Sequence, residues 1–294
     1  MTDIATLNDM QAARRARLRL FSTSVRYVLL FAVGLVMLYP LIWLVGASFK
    51  TNSEIFSGAG FIPENPTLDG YIRGWETSTP YTFGRFFWNS FLIILPKVIG
   101  TAISCTMAAY AFARFDFPLK KILFGSVIAI LLLPNVVTRI PQYILFRDLG
   151  WLDSFLPLWV PSAFAGDAFF VFMLVQFLRS LPSDMEEAAR VDGANSLQTL
   201  IYIVVPMLAP ALISVCLFQF MWTMNDFLGP LIYLSSVDKY PVSFALKLSI
   251  DTTEAFEWNR ILAMSVLTIA PALIVFFAAQ RYFIEGISSG GVKG

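Results

Sequence analysis

Long apolar runs dominate the sequence and decide what the chain can fold into. The first, from Tyr27 to Phe49, carries no charge. About 20 apolar residues in a helix cross the hydrocarbon core of a bilayer, where every backbone polar group needs an internal partner. The further runs lie at about Phe86–Ala113, Ile122–Val137 extended to Leu145, Phe155–Leu178, Leu200–Met224 and Ile261–Tyr282. We therefore predict an all-α polytopic membrane protein with six transmembrane helices in the lipid bilayer.

The composition excludes several classes of function. Hydrophobic residues make up 57% of the chain and charged residues 14%, against about 25% charged in soluble domains. Histidine is absent, which removes the commonest general base and metal ligand, so we predict no catalytic and no metal site. The net charge of +1 gives no sign of a nucleic-acid partner. Cys105 and Cys216 fall at different depths of their spans, so we expect no disulfide.

The basic residues predict the orientation. Arginines cluster near the N-terminus at Arg14, Arg15, Arg17 and Arg19, and the short loops on the same side carry Arg114, Lys120, Lys121, Arg179 and Arg190. Lysine and arginine concentrate in short cytoplasmic loops, so we expect a multi-pass protein of the bacterial inner membrane with both termini in the cytoplasm. Val45 and Ala47 resemble a signal cleavage site, which leaves processing of the first run as an alternative.

These signals divide the chain into consecutive regions. We predict a cytoplasmic N-terminal arm (1–25), a first transmembrane helix (26–49), an extracytoplasmic loop (50–85), a core of transmembrane helices two to six (86–282) and a cytoplasmic C-terminal tail (283–294). Prolines interrupt the spans at Pro40, Pro96, Pro134, Pro206, Pro210 and Pro271. Each proline removes a backbone donor and tends to bend its helix, either as a matter of packing or because the helices must move.

One polar stretch between the fourth and fifth spans, RSLPSDMEEAARVDGANSLQTL, predicts two short helices. Pro182 ends the preceding helix, and Ser183 with Glu186 forms a capping-box pattern, so a new helix begins at about Asp184. Acidic residues then occupy the first turn, where the helix dipole favours them. Glu186 and Arg190 have the spacing of a favourable ion pair.

The end of this helix and its surface suggest what it is for. Gly193 stands where a left-handed residue would end the helix, and Asn195 or Ser196 can cap the next one. Ala188 and Ala189 make one side smooth, which suits a helix that lies in a groove of another protein. An amphipathic connector resting on lipid headgroups is the alternative.

The same stretch resembles the EAA motif of permease subunits in binding-protein-dependent ABC importers. The matching positions are Glu187, Ala188, Ala189, Gly193, Ile203 and Pro206. The one departure is Val205, where the family usually has leucine. Most of the chain is similar to the MalG-like subunits of carbohydrate importers, in YPLIWLVGASFKTNSEIF, NSFLI, AAYAFARFDFPLKK, MEEAARVDGA and the final GGVKG.

The resemblance implies a fold and a set of partners. The fold would be that of a type I importer permease, whose coupling helix docks into a cytoplasmic ATPase; here this helix would run from about Ser183 to Asp192, within a coupling region of 183–200. The partners would be a second, MalF-like permease subunit, two copies of the ATPase and an extracytoplasmic solute-binding protein. The cargo would be a sugar or an oligosaccharide, with a uronate oligosaccharide or a glycerol phosphate as alternatives.

The resemblance also assigns residues to the ATPase contact. The coupling positions would be Glu186, Glu187, Ala188, Ala189, Asp192, Gly193 and Pro206. The tail residues Gly290, Gly291, Val292, Lys293 and Gly294 would reach toward the ATPase dimer interface. The chain has no phosphate-binding GxxxxGK[ST] loop, so ATP and Mg²⁺ would be bound by the partner ATPase and this chain would hold no cofactor and catalyse no reaction.

Two ionisable residues lie well inside predicted spans. Lys97 and Asp167 stand at similar distances from the outer ends of their spans, and an isolated charge there costs about 3 kcal/mol. We hypothesise that they form an ion pair beside the translocation path; the alternative is that they reach the interface or lie at a helix break. A stand-alone secondary transporter would show inverted repeats and clusters of midplane charge, and an intramembrane enzyme would need a nucleophile and a base. Neither pattern is evident, and the sequence assigns no substrate-binding residue.

Overall fold

The computed structural model describes residues 2–57, 60–77, 79–251 and 257–291, and side chains within 22–57, 60–77, 79–134, 136–248 and 257–280. Every regular element in these ranges is helical. The α-helices are α1 (Thr2–Ala47), α2 (Asn52–Ser57), α3 (Asp69–Glu76), α4 (Phe83–Arg114), α5 (Lys120–Leu132), α6 (Asn135–Asp148), α7 (Leu156–Trp159), α8 (Ala168–Ser180), α9 (Asp184–Val191), α10 (Ser196–Thr199), α11 (Val205–Met207), α12 (Ala209–Met224), α13 (Leu228–Tyr233), α14 (Val242–Asp251) and α15 (Trp258–Gly291). Short 3₁₀ helices occupy Val160–Phe164 and Val237–Lys239, and a π-helical turn occupies Leu200–Val204.

The helices agree with the membrane prediction. Four segments are long and apolar enough to cross a bilayer: Ser22–Ala47, Phe83–Arg114, Leu156–Ser180 and Trp258–Gln280. Two bent helix pairs raise the number to six if each pair is one span. The predicted N-terminal arm (1–25) is not a separate element, because α1 runs without a break from Thr2 into the first span. At the other end α15 continues to Gly291, past the predicted start of the tail at 283.

The third predicted span is not one straight helix. α5 and Val136–Asp148 of α6 meet at an angle of 109° around Pro134. Leu133, directly before the proline, is extended with φ −79° and ψ 132°, as steric contact with a following proline ring requires. The predicted span from Ile122 to Leu145 is therefore bent sharply at Pro134, which the sequence marked as a point of bending.

The fifth predicted span is also broken. Ser196–Met207 and α12 make an angle of 79°, with Leu208 at the break, so only Ala209–Met224 continues in the second direction. Pro206 and Pro210 flank the break and lack the backbone N–H groups that would bond to the preceding turn. The prediction of one helix from Leu200 to Met224 is corrected to two.

The described chain divides into two compact units. The first contains the residues up to Tyr71 together with Glu257–Val266, and the second contains Ile72–Phe256 and the residues from Leu267 onward. In the first unit the loop after α1 is held by polar contacts. The buried Lys50 ammonium donates to the Gly60 carbonyl at 2.7 Å, and Asn259 connects this loop to the start of α15 through Asp69 and Asn52.

The second unit is built around α4. This helix packs against α8 and α12, and a buried apolar cluster fills the space between them; its members include Cys105, Ala109, Phe170, Leu174, Leu178 and Val215. At Gly100 a Cβ would lie 3.1 Å from the Cα of Ala163, so the glycine permits the close approach of the 3₁₀ helix. Cys105 and Cys216 are both free, as expected.

Asp153 joins two loops of the second unit. Its Oδ2 accepts from Lys239 Nζ at 2.8 Å and from Ser236 Oγ at 2.6 Å, and its Oδ1 accepts from the backbone N–H of Ser236 at 2.9 Å. Burial alone would raise the pKa of this carboxyl, but the hydrogen bonds from Lys239 and Ser236 hold the pKa well below its ordinary value. The ionised carboxylate is thus the form that the fold stabilises.

We predict that Asp153→Asn lowers the thermal stability of the purified protein in detergent at pH 7 by about 1 kcal/mol, since one charge-assisted contact of a partly exposed pair is lost. The folded-state pKa lies below the unfolded-state value, so this contribution is complete above the unfolded pKa and is lost as the pH falls toward the folded one. The difference in melting temperature between the wild type and the variant should therefore narrow between about pH 5 and about pH 2.5. Asp148→Asn, which removes an exposed pair with the adjacent Arg147, is the control; an equal effect of both variants would contradict the assignment.

Candidate functional site

The segment between α8 and α12, residues 181–208, forms the candidate site and is called the connector here. Its first helix, α9, begins one residue after Ser183 and ends with a left-handed Gly193, φ +87°. The N–H of Ala194 bonds to the Ala189 carbonyl at 2.9 Å and that of Gly193 to the Arg190 carbonyl at 3.1 Å. These two bonds form a Schellman motif, so the predicted glycine stop is confirmed.

The beginning of α9 differs from the prediction. Ser183 itself has helical backbone angles, φ −85° and ψ −8°, and its side chain makes no cap bond. Its hydroxyl instead donates to Glu187 Oε1 at 3.0 Å. The Ser183–Glu186 capping box was a wrong prediction, because Glu186 has a partner outside the connector.

That partner is Arg114, the last residue of α4. Arg114 Nε lies 2.7 Å from Glu186 Oε1, and Arg114 Nη2 donates to the Leu181 carbonyl at 3.2 Å. The Glu186 side chain is buried, with 3% of its surface exposed, and that of Arg114 is nearly so, with 12% exposed. The predicted pair of Glu186 with Arg190 is therefore wrong, and the Glu186 side chain faces the interior of this chain; its assignment to the ATPase contact stays a prediction.

The second half of the connector is tied to the core. Asn195 and Gln198 exchange side-chain to backbone bonds, both at 2.9 Å, and form a capping box, which confirms Asn195 as the predicted cap. Leu200, Val204 and Leu208 then join the buried cluster of α4 and α8. A displacement of the connector would therefore have to move these three side chains within a packed core.

The remaining predicted contact positions lie on the surface of the connector. Glu187, Ala188, Asp192, Gly193 and Pro206 are exposed, and Ala189 is half-buried. Next to them the side chains of Met185 and Val191 are 57% and 87% exposed. Two uncovered apolar side chains on an eight-residue helix give this helix an apolar surface beside its acidic first turn.

Lys97 and Asp167 line one cavity but do not form the predicted ion pair. Asp167 precedes α8 at a helix break, and its Oδ2 accepts from Thr101 Oγ1 at 3.1 Å and from Gln219 Nε2 at 3.4 Å. Within the described side chains, no ion pair of 4.0 Å or less joins Lys97 to Asp167. The alternative of a helix break is the one that describes Asp167.

Most of the predicted tail contact with the ATPase lies outside the described residues. Val292, Lys293 and Gly294 are not among the described residues, and Gly290 and Gly291 are described only as the end of α15. Sequence reasoning also missed two participants. Arg114 was read only as a loop charge, and Gln219 was read as part of an apolar span; a lone polar residue in such a run was the signal for Gln219.

The chain is similar to a known family over this region and beyond. Residues 100–289 match the model of the binding-protein-dependent transport system inner membrane component. A probable ABC transporter permease protein of Pyrococcus horikoshii is 32% identical, covering 90% of this chain and 95% of the relative. The galactooligosaccharides transport system permease protein of Bacillus subtilis is 27% identical, covering 98% of this chain and all of the relative.

A solved structure is similar over most of its length. It is the crystal structure of a bacterial ABC transporter involved in the import of the acidic polysaccharide alginate. One of its chains is 26% identical to this chain, with a TM-score of 0.79, and the similarity covers 90% of this chain and 97% of that one.

We predict that Arg114→Met or Glu186→Met alone destabilises the protein by about 3–5 kcal/mol, because each leaves the other charge buried without its partner. The double variant should be more stable than either single variant, since two apolar side chains replace the pair. Thermal unfolding of the four proteins in detergent measures this as a double-mutant cycle. Glu187→Met, at the exposed neighbouring position, is the control and should change stability little; additive losses in the double variant would contradict the pairing.

Proposed function

This chain belongs to the family of inner membrane components of binding-protein-dependent transport systems, and we propose that it is the permease subunit of an ATP-driven importer of a sugar or an oligosaccharide. The connector carries this proposal: α9 has an exposed apolar surface, and the residues that follow it, Leu200, Val204 and Leu208, are buried in the core between the spans. Such a helix is suited to receive a movement from outside the bilayer and transmit it to α4 and α8.

The named relatives support a sugar as the cargo. Relatives are named for galactooligosaccharides, arabinooligosaccharides and diacetylchitobiose, and the similar solved transporter imports alginate. These names describe those proteins, and their common chemistry is an oligomeric carbohydrate. An extracytoplasmic binding protein would deliver the sugar, as the family name implies, and would carry much of the selection among sugars.

The proposed transporter needs further subunits that bind nucleotide and complete the translocation path. No phosphate-binding loop is present in the sequence, so ATP and Mg²⁺ would be bound by a partner ATPase. The transporter would contain two copies of this ATPase. A second, MalF-like permease subunit would complete the translocation path. The connector and both termini would lie on the cytoplasmic side, with Gly290–Gly294 near the ATPase dimer.

The proposed cycle uses the contacts of the connector. ATP binding closes the ATPase dimer, and α9 moves with the surface that holds it. Arg114 ties α9 to the end of α4, and Leu200, Val204 and Leu208 tie the next turn to the core, so both paths lead into the spans. The two ATPase states thereby bias the opening of the path toward one side of the membrane or the other.

The general test is reconstitution. The chain, its second permease subunit, the ATPase and the binding protein should together take up the sugar into vesicles only when ATP is supplied on the ATPase side. Uptake by this chain alone, driven by an ion gradient and without an ATPase, would contradict the proposal and favour a stand-alone secondary transporter.

Gly193 supplies the first specific prediction. Its φ of +87° is strained for any residue with a Cβ, while a Cβ would meet no atom within 4 Å, so only the turn itself is disturbed. We expect Gly193→Val to leave membrane insertion intact and to reduce co-purification of the ATPase and ATP-dependent uptake about tenfold or more. Gly193→Asn, which tolerates a left-handed backbone, should lose much less. Equal and normal uptake in both variants would contradict the role of the turn.

The surface of α9 supplies the second. We expect Val191→Asp to reduce ATPase co-purification about tenfold, because it places a charge in the proposed apolar contact, while the melting temperature of the isolated chain stays unchanged. Glu187→Lys should act in the same direction by reversing a charge on the same helix. Ile62→Asp, another exposed apolar position but in the loop after α1, outside the connector and the candidate spans, is the control for ATPase co-purification. Normal ATPase binding by Val191→Asp and Glu187→Lys would contradict the docking surface.

A further inference from the structure

A polar cavity lies inside the second unit, away from the connector. Its volume is about 280 Å³, and α4, α6, the Leu156–Phe164 segment, the residues before α8 and the end of α13 surround it. Its polar walls include Lys97, Arg139, Gln142, Asp167 and Tyr233. Three of the helices around it belong to candidate membrane spans, so these polar groups lie where unpaired charge is costly.

The two basic side chains of the cavity have no partner within the described part of the chain. Lys97 and Arg139 are both half-buried, and neither makes a hydrogen bond or an ion pair with a described residue. The nearby carboxylates have their own donors. Asp167 accepts from Thr101 and Gln219, and Asp226, which shares a small adjoining cavity with Lys97, accepts from the N–H of Gly229 at 3.0 Å.

The chemistry of the walls selects the kind of ligand. A guanidinium presents a planar pair of donors that matches a carboxylate, and an ammonium adds a second positive charge. Gln142 and Tyr233, joined by a contact of 3.4 Å, offer amide and hydroxyl groups suited to the hydroxyls of a sugar ring. The volume lies near the lower end of ligand pockets, which suits one sugar residue and not a whole oligomer.

We propose that this cavity binds one uronate residue of an acidic saccharide, with Arg139 and Lys97 holding its carboxylate. The proposal rests on the proposed import function and adds the class of sugar to it. In this proposal Lys97 and Arg139 bind the same carboxylate of the ligand, which explains why neither side chain has a partner within the described residues. Asp167 is a positioning residue for the wall, because its carboxylate holds Thr101 of α4 and Gln219 of α12 together.

The test measures binding without ATP or ATPase. The full chain is reconstituted in nanodiscs and titrated calorimetrically with digalacturonate and with galactobiose, which is matched in size and lacks the carboxylates. We expect digalacturonate to bind at least about tenfold more tightly and to weaken as salt is raised. Equal binding of the two sugars, or no binding of digalacturonate, would overturn the proposal.

Variants locate the site. Arg139→Gln and Lys97→Gln should each weaken digalacturonate binding about tenfold or more, and Arg139→Lys should recover part of the loss. Arg147→Gln, an exposed position on the same helix α6, is the matched control and should bind normally. Unchanged binding by both Arg139→Gln and Lys97→Gln, in protein that elutes as a single folded species, would overturn the assignment.

The two proposals fail in different ways. If the chain is an importer of neutral sugars, ATP-dependent uptake by the assembled transporter succeeds while the nanodisc titration shows no preference for digalacturonate. If it is not an ATP-driven importer, uptake fails whatever the titration shows. The binding measurement therefore judges the cavity independently of the coupling mechanism.

Discussion

The packing of α4 against α8 and α12 is the contact on which the second unit depends. Between apolar helices in a bilayer there is little hydrophobic driving force, so close van der Waals packing and satisfied polar groups must hold the spans together. The small side chains of Cys105 and Ala109 on α4 are buried in this contact, and Gly100 permits the close approach of the neighbouring 3₁₀ helix. The hydrogen bonds of Asp167 to Thr101 and Gln219 then join the same three elements at one level.

α4 also relates the two functional regions of this unit. It carries Lys97 at the cavity and Arg114 at the connector, which at 1.5 Å per residue are about 25 Å apart along the helix. Pro96 is its one internal proline, next to Lys97, so the part between the two regions is an uninterrupted helix. A shift of α9 that pulls on Arg114 therefore acts on the same rigid element that forms a wall of the cavity.

The sequence allowed the local features of the connector to be predicted and failed on its distant contacts. Gly193 and Asn195 were predictable because a left-handed stop and a capping box depend on residues within a few positions. The partner of Glu186 lies 72 positions away, and the local spacing to Arg190 offered a plausible but wrong alternative. The helix breaks at Pro134 and Leu208 were predictable only in part. The prolines mark where a helix is weak, but the size of the bend, 109° at the first and 79° at the second, depends on tertiary packing.

The burial of Glu186 and Arg114 has a consequence for how the connector holds its place. A buried ion pair adds little stability compared with two well-packed apolar side chains, because both charges lose their hydration. Its value lies in direction: a guanidinium that bonds Glu186 through Nε and the Leu181 carbonyl through Nη2 accepts only one orientation of α9. The apolar contacts of Leu200, Val204 and Leu208 hold the second half of the connector in the core, but such contacts are not directional and do not fix the orientation of α9. The connector therefore combines an orienting polar contact at its first helix with a packed apolar contact at its second: movement of the first acts on α4, and movement of the second acts on both α4 and α8.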